Sequence, residues 1–230
     1  MLPSKIALLL PLLPFTTAYS DYPALCTAAT TNVTAINDAG YMGALTTSLR
    51  YTLSPPNNVT TYSPGKSITI TLSSENTKVF RGMLLYAATT ADAKTHLGHW
   101  EKFNDGVFQF MDDTPNSCKE FGVKATLGHK TGQDIELPVT FEWVPPSSPP
   151  PGERIDIFAV VVKQRSEGFE TIRLSKPLFL EGGNFKADSP EPEANKTTTA
   201  STASQAPSST SYLPVVIAAL VGLGASLAIL

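Results

Sequence analysis

The chain has 230 residues, 42% of them hydrophobic and 16% charged, with a formal net charge of −3. Seventeen Lys and Arg against twenty Asp and Glu, with no basic cluster, exclude a protein that holds nucleic acid through its phosphates. Apolar stretches close both ends and leave about 165 residues between them, enough for one domain around one core.

Residues 1–20 read MLPSKIALLLPLLPFTTAYS. Lys5 supplies a positive charge. Ile6 to Phe15 form an apolar run of about ten residues, too short for a bilayer core of roughly 30 Å. Ala18 and Ser20 make a small-x-small pattern. This predicts a secretory signal cut after Ser20, with a cut after Ala18 as the alternative and an uncleaved membrane anchor as the competing reading. Loss of Lys5 leaves the mature chain one unit more acidic.

An exported chain matures in an oxidising compartment, where an even pair of cysteines forms a disulfide. Cys26 and Cys118 are therefore expected to close a loop of 92 residues. The competing reading is a free thiol. Export also makes three sequons meaningful: Asn32-Val33-Thr34, Asn58-Val59-Thr60 and Asn195-Lys196-Thr197. Asn58 follows Pro55-Pro56 in a turn-like stretch and is the favoured acceptor.

The middle of the chain reads as strands. Ser67 to Leu72 alternates polar and apolar, as a strand with one buried face does. Val79 to Ala87 is a longer apolar run interrupted by Gly82. Val107–Met111 and Val123–Leu127 are short candidates. In Val139–Trp143, the residues Val139, Phe141 and Trp143 share one face. Ile155–Lys163 reads as a central strand, and Phe169–Leu174 closes the series after a turn at Ser166-Glu167-Gly168. Pro64-Gly65 fits the two central positions of a type II turn. Residues 91–102 are predicted to form one short helix. Short strands divided by Pro and Gly clusters predict an all-β, antiparallel sandwich over residues 21–185.

Several of these segments in order are similar to the Reeler (reelin N-terminal) domain family. Tyr62-Ser63-Pro64-Gly65, a strand, then Phe80-Arg81-Gly82-Met83-Leu84-Leu85 resemble its first half. Cys118, His129, Val139 to Pro145 and Phe158 to Val162 resemble its second. Tyr22-Pro23 and Cys26 also fit, and the likeness spans Tyr22 to Leu180. The resemblance implies an immunoglobulin-like β-sandwich, an extracellular location and a binding or adhesion role. The chain departs from the fuller family pattern in having one cysteine pair and an insertion-like stretch at residues 91–106.

Chemistry-bearing residues are sparse. His96-Leu97-Gly98-His99 would place two imidazoles on one face of a helix, and His129 could complete a metal site. The spacing lacks the Glu of metalloprotease motifs, and the other reading of all three histidines is structural. Asp112, Asp113 and Glu101 are candidate carboxylates for a hydrolase, which needs two across one cleft. There is no G-x-S-x-G, and no Gly-rich phosphate loop. Trp143 is expected in the core, with a glycan-stacking platform as the alternative.

Residues 186–211 are dominated by Ser, Thr, Ala and Pro, a composition that cannot bury enough apolar surface to order itself. They are expected to form a disordered stalk open to O-glycosylation. Residues 212–230 are apolar and carry no flanking Lys or Arg. Small residues, a polar spacer and an apolar tail, in that order, predict a glycosylphosphatidylinositol attachment signal with Ser201 as the attachment residue. A type I transmembrane helix is the alternative.

The expected function is non-catalytic adhesion or recognition on the outer cell surface, without a cofactor. The partner would be an extracellular protein or glycan, and the membrane would be reached through the lipid anchor or the C-terminal helix. Two rivals stand beside it: a metal- or haem-associated redox surface protein using His96, His99 and His129, and a polysaccharide hydrolase.

Overall fold

A computed structural model describes residues 23–29, 33–34 and 42–183. The predicted signal, stalk and C-terminal tail, with Asn32, Asn195 and Ser201, lie outside the described residues. Thirteen strands run through the described part: β1 Tyr51–Ser54, β2 Thr61–Tyr62, β3 Ile68–Ser74, β4 Val79–Phe80, β5 Gly82–Ala88, β6 His99–Trp100, β7 Phe108–Phe110, β8 Thr126–His129, β9 Ile135–Glu136, β10 Val139–Val144, β11 Arg154–Gln164, β12 Gly168–Arg173 and β13 Leu178–Leu180. The helical turns Pro56–Asn58 and Lys119–Phe121 are single 3₁₀ turns. Among the described residues no helix is long and apolar enough to cross a membrane.

Two sheets pack face to face. The small one has the order β1-β3-β10-β6, and the large one β2-β13-β11-β5-β8-β7, with β12 also on β11; β4 and β9 form a separate ribbon. Pairing is antiparallel except between β13 and β2. The expected all-β sandwich is present, with this parallel strand pair and two isolated parallel bridges, Leu45 to Phe169 and Leu53 to Leu174, added.

Alternation in β1, β3 and β10 follows from burial on one side. Leu53, Ile70, Leu72, Phe141 and Trp143 point into the core, while Thr52, Thr69, Thr71, Ser73 and Thr140 point out. The continuous apolar runs of β5 and β11 have a different cause: both of their faces are covered. Met83, Leu85, Ala87, Ile157, Ala159 and Val161 meet the small sheet. Leu84, Tyr86, Ala88, Phe158, Val160 and Val162 face the opposite way, against Leu25, Ala28, Val33 and Met42 of the N-terminal segment. Tyr86 fixes that cover, since its hydroxyl accepts from Ala28 N at 2.8 Å and donates to Ala91 O at 2.6 Å. The Cys26–Cys118 disulfide, with Cα atoms 5.4 Å apart, fastens the same segment to the loop before β8.

The edges of the sandwich are joined by polar groups. Glu170 on β12 is buried, and its carboxylate accepts from the backbone N–H groups of Leu49, Arg50 and Tyr51 at 2.9 to 3.1 Å. At the other edge Trp100 donates its backbone N–H to Lys124 O and its indole N–H to Ala125 O, at 3.0 and 3.1 Å.

Three expectations need correction. Residues 91–102 are not helical. His96 N bonds to Phe121 O and Leu97 N to Ala87 O, so their N–H groups serve neighbouring elements, and β6 then pairs with β10. Gly98 enforces this, with φ at +68° and a Cβ position 2.1 Å from Val144 O. The strand expected at Val123–Leu127 begins only at Thr126, because Lys124 has φ +55° and Val123 is 61% exposed. The series does not close at Leu174: β13 follows, bridging β11 and β2. The Pro64-Gly65 turn forms as expected, with Gly65 at φ +71° and Lys66 N bonded to Ser63 O.

Two predictions follow from the fastening groups. Glu170→Ala leaves three N–H groups without their acceptor and is expected to cost on the order of 3 kcal/mol in urea denaturation; a loss below about 1 kcal/mol contradicts this role. A thiol assay on the denatured, unreduced protein should find no free thiol, and the Cys26→Ser, Cys118→Ser double variant should lose about 3–5 kcal/mol; two reactive thiols would refute the pairing.

Candidate ligand-binding cleft

Two segments remote in sequence meet over β10. The first leaves β6 and runs beside β10 for two residues: Glu101 N donates to Glu142 O and Glu142 N to Lys102 O, both at 2.9 Å. Asn104 then turns it, its backbone carbonyl accepting from Val107 N and Phe108 N and its side-chain Oδ1 from Gly106 N. The second segment runs from Thr131 through β9 to a cis Leu137-Pro138 peptide that enters β10. It is fixed by β4, where Phe80 pairs with Ile135, and by Arg81, whose Nε lies 2.6 Å from Asp134 Oδ1. The Arg81 head thus reaches the surface from an apolar stretch.

Between the two segments lies a cleft of about 690 Å³. Phe108, Ile135 and Phe141 form its buried floor, with Phe108 and Phe141 packed edge to face at 5.0 Å between centroids. Phe103 is half-buried at the side and is held edge-on by Phe110 at 5.1 Å. The rim is polar: Thr69, Asn104, Thr131, Gln133 and Thr140 line it together with charged groups. Lys102 Nζ bonds both carboxylate oxygens of Glu142, at 3.1 and 2.9 Å, which holds the ammonium above its ordinary pKa. Asp134 is tied to Arg81, so Glu136 is the one cleft carboxylate without an ion pair among the described residues.

The cleft occupies the Pro138 end of β10. The other end meets the turn next to the last strand: Gly65 N donates to Pro145 O at 3.3 Å, and Ser63 Oγ bonds Glu181, one residue past β13.

The histidines singled out by sequence are dispersed. His96 is buried, stacked on Tyr86 with centroids 4.1 Å apart and beside Phe121. Its Nδ1 is 2.6 Å from Thr126 Oγ1, and its Nε2 is buried without a hydrogen-bond partner. His99 lies 3.5 Å from Glu101 on the half-exposed strand β6. His129 is buried in β8, where its Nδ1 accepts from Met83 N at 3.1 Å. Without a helix the H-x-x-H spacing does not bring two imidazoles together. Among the described residues no three His, Cys, Asp or Glu side chains converge to hold a metal.

The carboxylates named from sequence also stand apart from the cleft. Asp112 accepts from Lys124 N at 2.8 Å, Glu101 faces His99, and Asp113 is exposed. Trp143 is fully buried and donates to Leu97 O, so it is a core residue and not a platform. The sequence did not mark the cleft residues as a site: Lys102 fell in the expected helix, residues 91–106 read as an insertion-like stretch and Val107 opened an expected strand, and only the pairings of β4 and β6 bring them together with Thr131–Pro138.

Burial pushes the His96 pKa down from 6.5 to about 4. Its neutral form is favoured in the folded chain, so as pH falls below 6.5 the unfolded chain takes the proton first. Stability contributed by this group is complete above about pH 6.5 and declines down to about pH 4, by about 3 kcal/mol. His96→Gln should therefore lose less stability than the parent between pH 7 and pH 4 in urea titrations; parallel declines would remove His96 as the source.

The Reeler domain family model matches residues 35–176, more than half of the chain. The search of curated proteins finds no match to this chain. Among solved structures, the human F-spondin reeler domain (fragment 1) is 19% identical, with 59% of this chain and 94% of that one covered and a TM-score of 0.44. The Reelin-N domain of F-spondin is 20% identical over 63% of this chain and 97% of its own, with a TM-score of 0.45. The family model fits the region that holds the cleft and every strand but β13, and the chain belongs to the Reeler domain family.

Proposed function

We propose that this protein is a non-catalytic recognition module displayed on the outer face of the cell, and that the cleft over β10 is where it takes its ligand. The observation that carries the reading is the state of the cleft's charged groups. Glycoside hydrolysis needs two carboxylates free to act across one bond. Here Glu142 is held by Lys102 and Asp134 by Arg81, leaving Glu136. What remains is a fixed surface of amides, hydroxyls and aromatic edges, a lining suited to holding a ligand.

Display rests on the sequence signals and is consistent with the disulfide, which belongs to an oxidising compartment. The signal at residues 1–20 exports the chain. The tail at residues 212–230 is exchanged for a lipid at Ser201, and the stalk at residues 186–211 holds the domain off the membrane. Asn58 is exposed on its 3₁₀ turn, accessible to glycosylation, and Asn32 and Asn195 complete the set.

Expressed in full in a eukaryotic secretory cell, the protein should be released by phosphatidylinositol-specific phospholipase, and peptide N-glycosidase should then lower its mass. Retention after effective treatment would point to a transmembrane helix. The released protein should bind components of an array of extracellular glycans and matrix proteins, and Thr140→Trp, which fills the cleft, should abolish that binding. Binding that survives Thr140→Trp, or cleavage of an arrayed glycan, would overturn the reading.

A further inference from the structure

We infer that the ligand is a linear, uncharged polysaccharide strand that lies in the cleft and continues across the outward face of the small sheet. This rests on the recognition reading above and names its ligand.

Charge complementarity limits the choice first. The cleft's only lysine, Lys102, is neutralised by Glu142, and the guanidinium nearest its rim, Arg81, is neutralised by Asp134. An acidic polymer would find no unpaired cation among the lining residues and would meet Glu136; Lys130, beside Thr131, has its ammonium on Asp105 O. A polybasic one would find a single carboxylate. The remaining rim groups are neutral and suited to hydroxyls. Asn104 uses its Oδ1 on Gly106 N, leaving its amide N–H groups free to donate, and Gln133 is exposed with both donor and acceptor. Phe103 adds a ring partly buried against the core, its orientation fixed by Phe110, whose remaining exposed part is an apolar surface for the C–H face of a sugar.

Continuity with the sheet supplies the length. Thr69, Thr140 and Glu142 line the cleft and also belong to the outward face of β3 and β10. Beyond them the register sets Ser54 opposite Thr71 and Thr71 opposite Thr140, a row of three hydroxyls across three adjacent strands. Strand spacing makes that row about 10 Å long. Thr52 and Ser73 form a second pair, bonded to each other at 2.9 Å. Charged side chains flank these hydroxyls only as internal ion pairs, Lys102–Glu142 on the cleft side and Arg50–Glu75 beyond Thr52 and Ser73, so a polymer leaving the cleft meets hydroxyls between two neutralised pairs.

The test is affinity electrophoresis of the phospholipase-released protein through gels containing soluble neutral β-glucan, mannan or xylan, with heparan sulfate as the acidic comparison. One or more neutral polymers should retard the protein, and added salt should leave the retardation unchanged, as an uncharged ligand requires. Phe103→Ala and the exposed-site variant Gln133→Ala should each weaken it about tenfold, while Lys66→Ala should not. Retardation by heparan sulfate alone, reversed by salt, would overturn the inference. So would neutral-polymer binding indifferent to both cleft variants. Binding to an arrayed protein that Thr140→Trp abolishes, with no polysaccharide retarding the chain, would sink the polysaccharide assignment and leave the recognition reading standing.

Discussion

The structure depends on burying both faces of β5 and β11. A strand pair with apolar side chains on two sides is stable only if two layers cover it, and this chain supplies them from different sources. The small sheet covers Met83, Leu85, Ile157 and Val161. On the other side the N-terminal segment covers Leu84, Tyr86, Phe158 and Val160. Each large side chain so covered contributes about 1.5–3 kcal/mol relative to exposure. The disulfide and the Tyr86 hydroxyl hold that segment against the sheet.

That arrangement explains what could be read in the residues. β3 and β10 were legible from alternation because one side faces solvent. β11 was legible as a central strand and β5 as a long apolar run because both sides are apolar, although nothing in those runs said what would cover the second side. The elements missed are the two-residue strands β2, β6 and β9 and the short β1 and β13, whose pairing is set by partners far away in sequence. The helix expected at residues 91–102 failed for the same reason: its N–H groups found acceptors on Phe121 and Ala87. The family was legible from the order of its segments, which a short motif could not have supplied.

The candidate site was much less legible. Histidine spacing and acidic pairs drew attention because those residue types carry chemistry, yet burial and local hydrogen bonds account for where they lie. The cleft is built instead from Asn104, Gln133, Phe103 and a lysine–glutamate pair, side chains common on any surface. Only tertiary structure gives them a common orientation: β6 sets one wall, the β4–β9 ribbon sets the other, and the cis Leu137-Pro138 peptide joins that ribbon to the floor strand. A rigid scaffold carrying polar loops is a common basis for recognition.

The positions of the cleft and the last strand on β10 bear on mechanics. From Pro138 to Pro145 the extended chain covers roughly 23 Å, with the cleft at the first end and the neighbours of Ser63 and Glu181 at the second. A tension applied between these two ends of the strand therefore runs lengthwise along β10. The five residue pairs between β10 and β3 would be loaded in shear, all sharing the tension together, and not peeled apart one by one as in an opening zipper.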